Sequence, residues 1–157
     1  MIGWRGVLIS AIALYFSAAA EVSLARWTIL GGRFDFLLAG LAILCLFTSK
    51  RGGAVVGFFD GWLYGALNGA NMWQYVLTRT VGGFLISWVG EGIERNYFSA
   101  LLAGFAAVVL CNLTLMFFAP PAQIGLFLGD TIRTAVYNGV LAMLFYAVLN
   151  RILGPRR

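Results

Sequence analysis

The sequence predicts an all-α, polytopic membrane protein: one transmembrane domain over residues 1–157, built as a six-helix bundle. Three observations predict it. The chain is 61% hydrophobic and only 11% charged, against about 25% charged in soluble domains. Mean hydropathy is +0.88, so too little polar surface exists to cover a water-soluble globule. The apolar residues fall into runs of helix-spanning length broken by short polar connections, without the strict alternation of a membrane barrel.

The runs are, in order, 5–25, 34–49, 52–68, 71–90, 97–118 and 129–153. The first, "MIGWRGVLISAIALYFSAAAE", has an early Arg5, an apolar stretch and three alanines, which is also the layout of a signal peptide. The apolar segments that follow favour an uncleaved first helix. The second run is short and is expected to lie tilted or under loops. The third and fourth are joined by the tight turn "NGAN" (68–71), so they should run antiparallel, side by side. Pro120-Pro121 marks a break before the last run.

Charge then orients the bundle. With six helices, one side carries Arg5, Lys50, Arg51, Arg95, Arg151, Arg156 and Arg157, and the other only Arg26 and Arg33. The positive-inside rule puts both termini in the cytoplasm. The net charge of +5 is thereby spent on topology, which argues against a nucleic-acid partner. Cys45 and Cys111 lie in apolar stretches and read as buried, reduced thiols. No histidine is present, and no HExxH, P-loop, GxSxG or CxxC motif occurs. The commonest general base and metal ligand is therefore missing, and the reading is non-enzymatic, with no cofactor and no metal. Glu21, Asp35, Glu91, Glu94 and Asp130 sit near segment ends, where solvated interface charge is the expected role.

The third run carries a glycine ladder, Gly53, Gly57, Gly61, Gly65 and Gly69. Four residues advance a helix by about 400°, so the first four form one slowly winding stripe of small residues, with Asp60 at its edge. Val55, Phe58, Phe59, Trp62 and Leu63 fall on the opposite arc. The fourth run repeats the division: Gly82, Gly83, Ile86, Gly90 and Tyr75 share the face of Arg79, and Trp73, Leu77, Val81, Phe84 and Trp88 lie opposite. Small faces let helix backbones approach closely in lipid. The bulky arcs, with Trp62, Trp73 and Trp88 foremost, are the candidate partner-facing surfaces.

Asp60 lies about nine residues before the tight turn and Arg79 about nine after it. At ~1.5 Å per residue both are ~13 Å deep, near the centre of a ~30 Å hydrocarbon core. A structural ion pair between them is expected, since an unpaired charge there is expensive. The competing arrangement is a protonated Asp60, or one bonded to Asn112 or Asn138. Both asparagines are otherwise read as interhelical hydrogen-bonding residues, Asn138 on a face with Thr134, Leu141, Ala142 and Phe145.

Three stretches together resemble the rod shape-determining protein MreD family: "GGRFDFLLAGLAILCLF" (31–47), "GAVVGFFDGWLYGALNG" (53–69) and "TAVYNGVLAMLFYAVLNRIL" (134–153). Their order and spacing carry the likeness, which covers most of the chain; Arg79 matches no motif of that family. The resemblance implies a non-enzymatic scaffold subunit of the cell-elongation machinery in the inner membrane of a rod-shaped bacterium. Its implied partners are an MreC-like single-span protein, the MreB cytoskeleton, RodA and a penicillin-binding transpeptidase of peptidoglycan synthesis. It also implies a fold similar to the substrate-binding components of energy-coupling-factor transporters, which supplies the alternative function of small-molecule binding.

Overall fold

A computed structural model of the chain describes residues 4–24, 28–29, 32–69 and 71–153. Arg26, Gly31, Ala70, Arg156 and Arg157, named above, lie outside the described residues, as does the side chain of Arg5. Six helices account for most of the chain: α1 Trp4–Leu24, α2 Phe36–Phe47, α3 Lys50–Asn68, α4 Met72–Gly90, α5 Tyr97–Phe118 and α6 Ile124–Leu153. A two-residue hairpin, β1 Thr28–Ile29 with β2 Gly32–Arg33, precedes α2. Three helical stretches are long and apolar enough to cross a membrane: Gly6–Leu24, Tyr97–Phe118 and Ile124–Arg151. At 19 residues each, α3 and α4 reach ~28 Å, but their glycines and ionic groups lower their mean hydropathy.

The helix ends follow local chemistry. Gly69, the last rung of the ladder, does not pack against a helix; it closes α3 as a left-handed C-cap with φ 61°, a conformation glycine adopts without strain. Asn96 caps α5 in a reciprocal box: its side chain accepts from the Ser99 amide at 2.8 Å, and the Ser99 hydroxyl accepts from the Asn96 amide at 2.9 Å. The last helix starts at Ile124, five residues before the apolar run predicted for it, as soon as the chain has cleared Pro120-Pro121.

The short second helix is the hub of the bundle and does not lie under loops. Every residue from Leu37 to Leu46 is buried, and α2 touches each of the other five helices. A helix that is apolar all round has no solvent face and belongs inside. Its 12 residues rise only ~18 Å. Thr48 and Ser87 meet at the α2 C-terminus, and the Glu91 carboxylate accepts from the Lys50 amide nearby. The N-terminus of α2 therefore lies inside the bundle, level with the middles of α3 and α4.

The glycine stripe of α3 faces α4 directly. A Cβ built at Gly61 would stand 2.5 Å from the Tyr75 carbonyl oxygen, and one at Gly65 would stand 2.9 Å from Met72 Cα. Gly53 and Gly57 meet the backbone of Gly83 and of Arg79 in the same antiparallel register. The paired glycines of α4 divide the work: Gly83 faces α3, whereas a Cβ at Gly82 would stand 2.7 Å from Cys111 Sγ on α5. A second close crossing joins α5 to α6, with Gly104 against the Asn138 carbonyl and Gly139 against that of Leu101.

Candidate functional site: a buried ionic cluster at an interior helix start

A helix that starts inside a bundle exposes backbone N–H groups to an apolar interior, and each must find an acceptor. Three acceptors are supplied here. Glu21 Oε2 accepts from the Phe36 amide at 2.7 Å, Asp35 Oδ1 from the Leu38 amide at 2.7 Å, and Asn138 Oδ1 from the Asp35 amide at 3.0 Å. The Asn138 amide group also donates to the carbonyls of Arg33 (3.2 Å) and Thr134 (2.8 Å). Asn138 thus ties the segment before α2 to α6 through backbone groups. Tyr137 presses on the same segment at Gly32, where a Cβ would run into its ring.

Satisfying the helix start with carboxylates brings negative charge into the core, and Arg79 answers it. Its Nη1 donates to Asp60 Oδ2 at 2.5 Å, and its Nη2 pairs with Asp35 Oδ2. The guanidinium carbon lies 3.9 Å from the centre of the Tyr64 ring, a cation–π contact. Asp60 is fully buried and Arg79 nearly so. Asp60 Oδ1 has no hydrogen-bond partner among the described residues. A cavity of about 40 Å³, lined by Asp35, Tyr64, Thr78, Arg79, Cys111 and Asn112 among others, lies beside the cluster.

The structure brings Asp60 and Arg79 together and adds Asp35, which the sequence placed among solvated interface charges. That expectation is corrected for Glu21 as well, whose side chain serves an interior amide. The reason is topological: Glu21 lies near the end of one apolar run and Asp35 at the start of the next, and that next run begins halfway down the bundle. The Asp35 signal was present as an N-cap residue directly before an apolar helix; nothing in the sequence ties it to Arg79. Neither asparagine bonds Asp60. Asn112 instead links α5 to α6, donating to Thr131 Oγ1 at 3.2 Å. Among the other acidic residues, Asp130 is exposed and pairs with Arg133 at 3.6 Å. Cys45 and Cys111 are free and buried.

The bulky arcs point outward. Trp62, Trp73 and Trp88 are 48%, 57% and 57% exposed, and Val55, Phe58, Phe59 and Phe84 accompany them. Trp73 packs edge-on against Phe118 of α5 and rims a shallow hollow with Phe58, Met72, Val76, Leu77 and Thr80. Trp62 borders a separate groove between α1 and α3. Leu63, assigned to the outward arc, packs instead against the core.

No protein family, curated protein or solved structure matches the chain.

Proposed function

We propose that the protein is a multi-pass scaffold of the bacterial inner membrane, as its resemblance to the rod shape-determining protein MreD family implies. In this reading all six helices lie in the membrane, α2 with the segment before it completing one crossing. The end that carries Lys50, Arg51, Arg95 and Arg151 faces the cytoplasm. The subunit is non-enzymatic. It holds an MreC-like single-span protein against its outward aromatic faces and helps to couple the MreB cytoskeleton to the RodA–transpeptidase pair of peptidoglycan synthesis.

The observation that carries this reading is the division of labour between inside and outside. The interior ionic groups are consumed by structure: Arg79 by two carboxylates, and Glu21, Asp35 and Asn138 by the start of α2. The space beside them, about 40 Å³, suits a water molecule, whereas ligand pockets run to roughly 300–1,000 Å³. The large aromatic side chains meanwhile face outward on α3 and α4, available for helix–helix contact.

One feature favours a second reading, the small-molecule-binding component of an energy-coupling-factor-type transporter. Helices that begin at membrane depth commonly point their N-termini at a substrate, and α2 begins in this way. Here its own Asp35 and the neighbouring Glu21 occupy that N-terminus. Affinity purification from native membranes separates the two. The scaffold reading expects a single-span protein with a periplasmic domain in stoichiometric yield. An ATPase module with a tightly held metabolite would refute it.

A further inference from the structure

Helix α1 is the least embedded of the three long apolar helices, and a groove of about 610 Å³ runs between it and α3. Its floor is Leu14 and Val56, both buried; its rims are Val7 and Tyr15 on one side and Val55, Phe59 and Trp62 on the other, all exposed. Small residues, Ser10, Ala11, Ala18 and Gly52, keep it open. Among the described residues its lining contains no carboxylate, and the charged residue there, Arg51, stands at one end, next to the exposed Lys50.

We infer that this groove binds one acyl chain of an anionic phospholipid, with the phosphate held at its mouth by Arg51. Length selects the occupant. The groove runs from Val7 to Ala18 on α1 and from Arg51 to Leu63 on α3, about 17 Å at ~1.5 Å per residue. Half of a ~30 Å hydrocarbon core is ~15 Å, the depth of a single leaflet. A partner's spanning helix would need a groove twice as long. Charge selects the headgroup, because the Arg51 guanidinium at the edge of an apolar slot complements a phosphate at the membrane surface. The second groove beside α1, about 410 Å³ and lined by Ile9, Ala13, Phe16, Gly40 and Phe145 among others, has no basic residue among the described residues of its lining and is expected to lack this selectivity. Only the membrane-spanning part of the proposed function is needed here; lipid retention can fail while partner capture succeeds, and the reverse.

The test is native mass spectrometry of the full chain in mild detergent, titrated with dioleoyl phosphatidylglycerol or dioleoyl phosphatidylcholine. One phosphatidylglycerol should be retained in preference to phosphatidylcholine by about fivefold, the equivalent of ~1 kcal/mol per basic residue near anionic lipid. Arg51→Ala should erase that preference. Ala11→Phe, which fills the slot, should lower retention of both lipids, whereas Ala13→Phe in the second groove should leave the preference intact. Equal retention of the two lipids, or retention indifferent to Arg51→Ala, would overturn the inference. Should Ala11→Phe fail to fold, quenching of tryptophan fluorescence by brominated-chain phosphatidylglycerol replaces it. Trp62→Phe should then remove more of the quenching than Trp88→Phe; an equal loss would refute groove binding.

Discussion

Removing Arg79 should be the most damaging single change in the protein. Arg79 is 3% exposed and neutralises Asp60, fully buried, and Asp35, 15% exposed. Arg79→Gln strands both carboxylates at once. Breaking a buried pair by deleting one partner costs about 3–5 kcal/mol, and the upper end applies here because two anions are left facing each other. Asp60→Asn leaves the Arg79–Asp35 contact, so the loss should be that of one charge-assisted hydrogen bond, about 1.5–3 kcal/mol. Asp35→Asn should be similarly mild, since asparagine caps a helix as well as aspartate does and Arg79 keeps Asp60. The third carboxylate changes what a charge swap achieves. Asp60→Arg with Arg79→Asp places a carboxylate beside Asp35, so little stability should return until Asp35→Asn is added. The assay is equilibrium unfolding in mixed micelles of mild detergent and SDS, followed by helical circular dichroism. If Asp60→Asn proved as damaging as Arg79→Gln, or the swap alone restored wild-type stability, the three-residue cluster would be refuted.

Three further outcomes follow from the packing. Gly57→Ala and Gly61→Ala should each destabilise the α3–α4 hairpin by more than 1 kcal/mol in the same unfolding assay, because the new Cβ meets opposing backbone, whereas Gly125→Ala and Gly129→Ala, whose Cβ would meet nothing within 4 Å among the described residues, should be neutral or slightly stabilising. Asn138→Leu leaves the Asp35 amide and the Arg33 carbonyl without their partner, at about 1–3 kcal/mol for each unsatisfied group, and limited proteolysis should then cut the segment before α2 faster than in the wild type. Paired substitution of Trp73 and Trp88 by alanine should lower capture of an MreC-like partner while leaving the unfolding midpoint unchanged, since both side chains face outward; intact capture would exclude those faces.

The sequence carried the helices and the Asp60–Arg79 contact because both depend on local quantities. Run length and apolar composition mark the helices, and a tight turn with equal residue counts on either side places two charges at one depth. What it did not carry depends on where a short helix begins in three dimensions. Asp35 and Glu21 look like interface charges by position along the chain, yet α2 starts in the interior and draws both of them in. The unbroken apolar stretch of residues 37–46 is the signal for this, since an all-round apolar helix of half length implies a central element whose end is also buried. Asn138 was legible as an interior polar residue, but two of its partners are backbone groups more than a hundred positions away, which no local pattern encodes. Gly69 shares the spacing of the ladder, but its place in the tight turn and the Asn-Gly sequence at a helix end mark it as a C-cap.

Under the scaffold proposal, the outward faces of α3 and α4 hold another membrane protein. Photo-crosslinking in native membranes tests it most directly, with a benzophenone amino acid placed at Trp73 and Trp88 on the outward faces and at Ile86, which is buried. A single crosslinked product is expected from Trp73 or Trp88, identified by mass spectrometry as a single-span protein with a periplasmic domain, and none from Ile86. Crosslinks from the outward positions to lipid alone, or to an ATPase module, would contradict it.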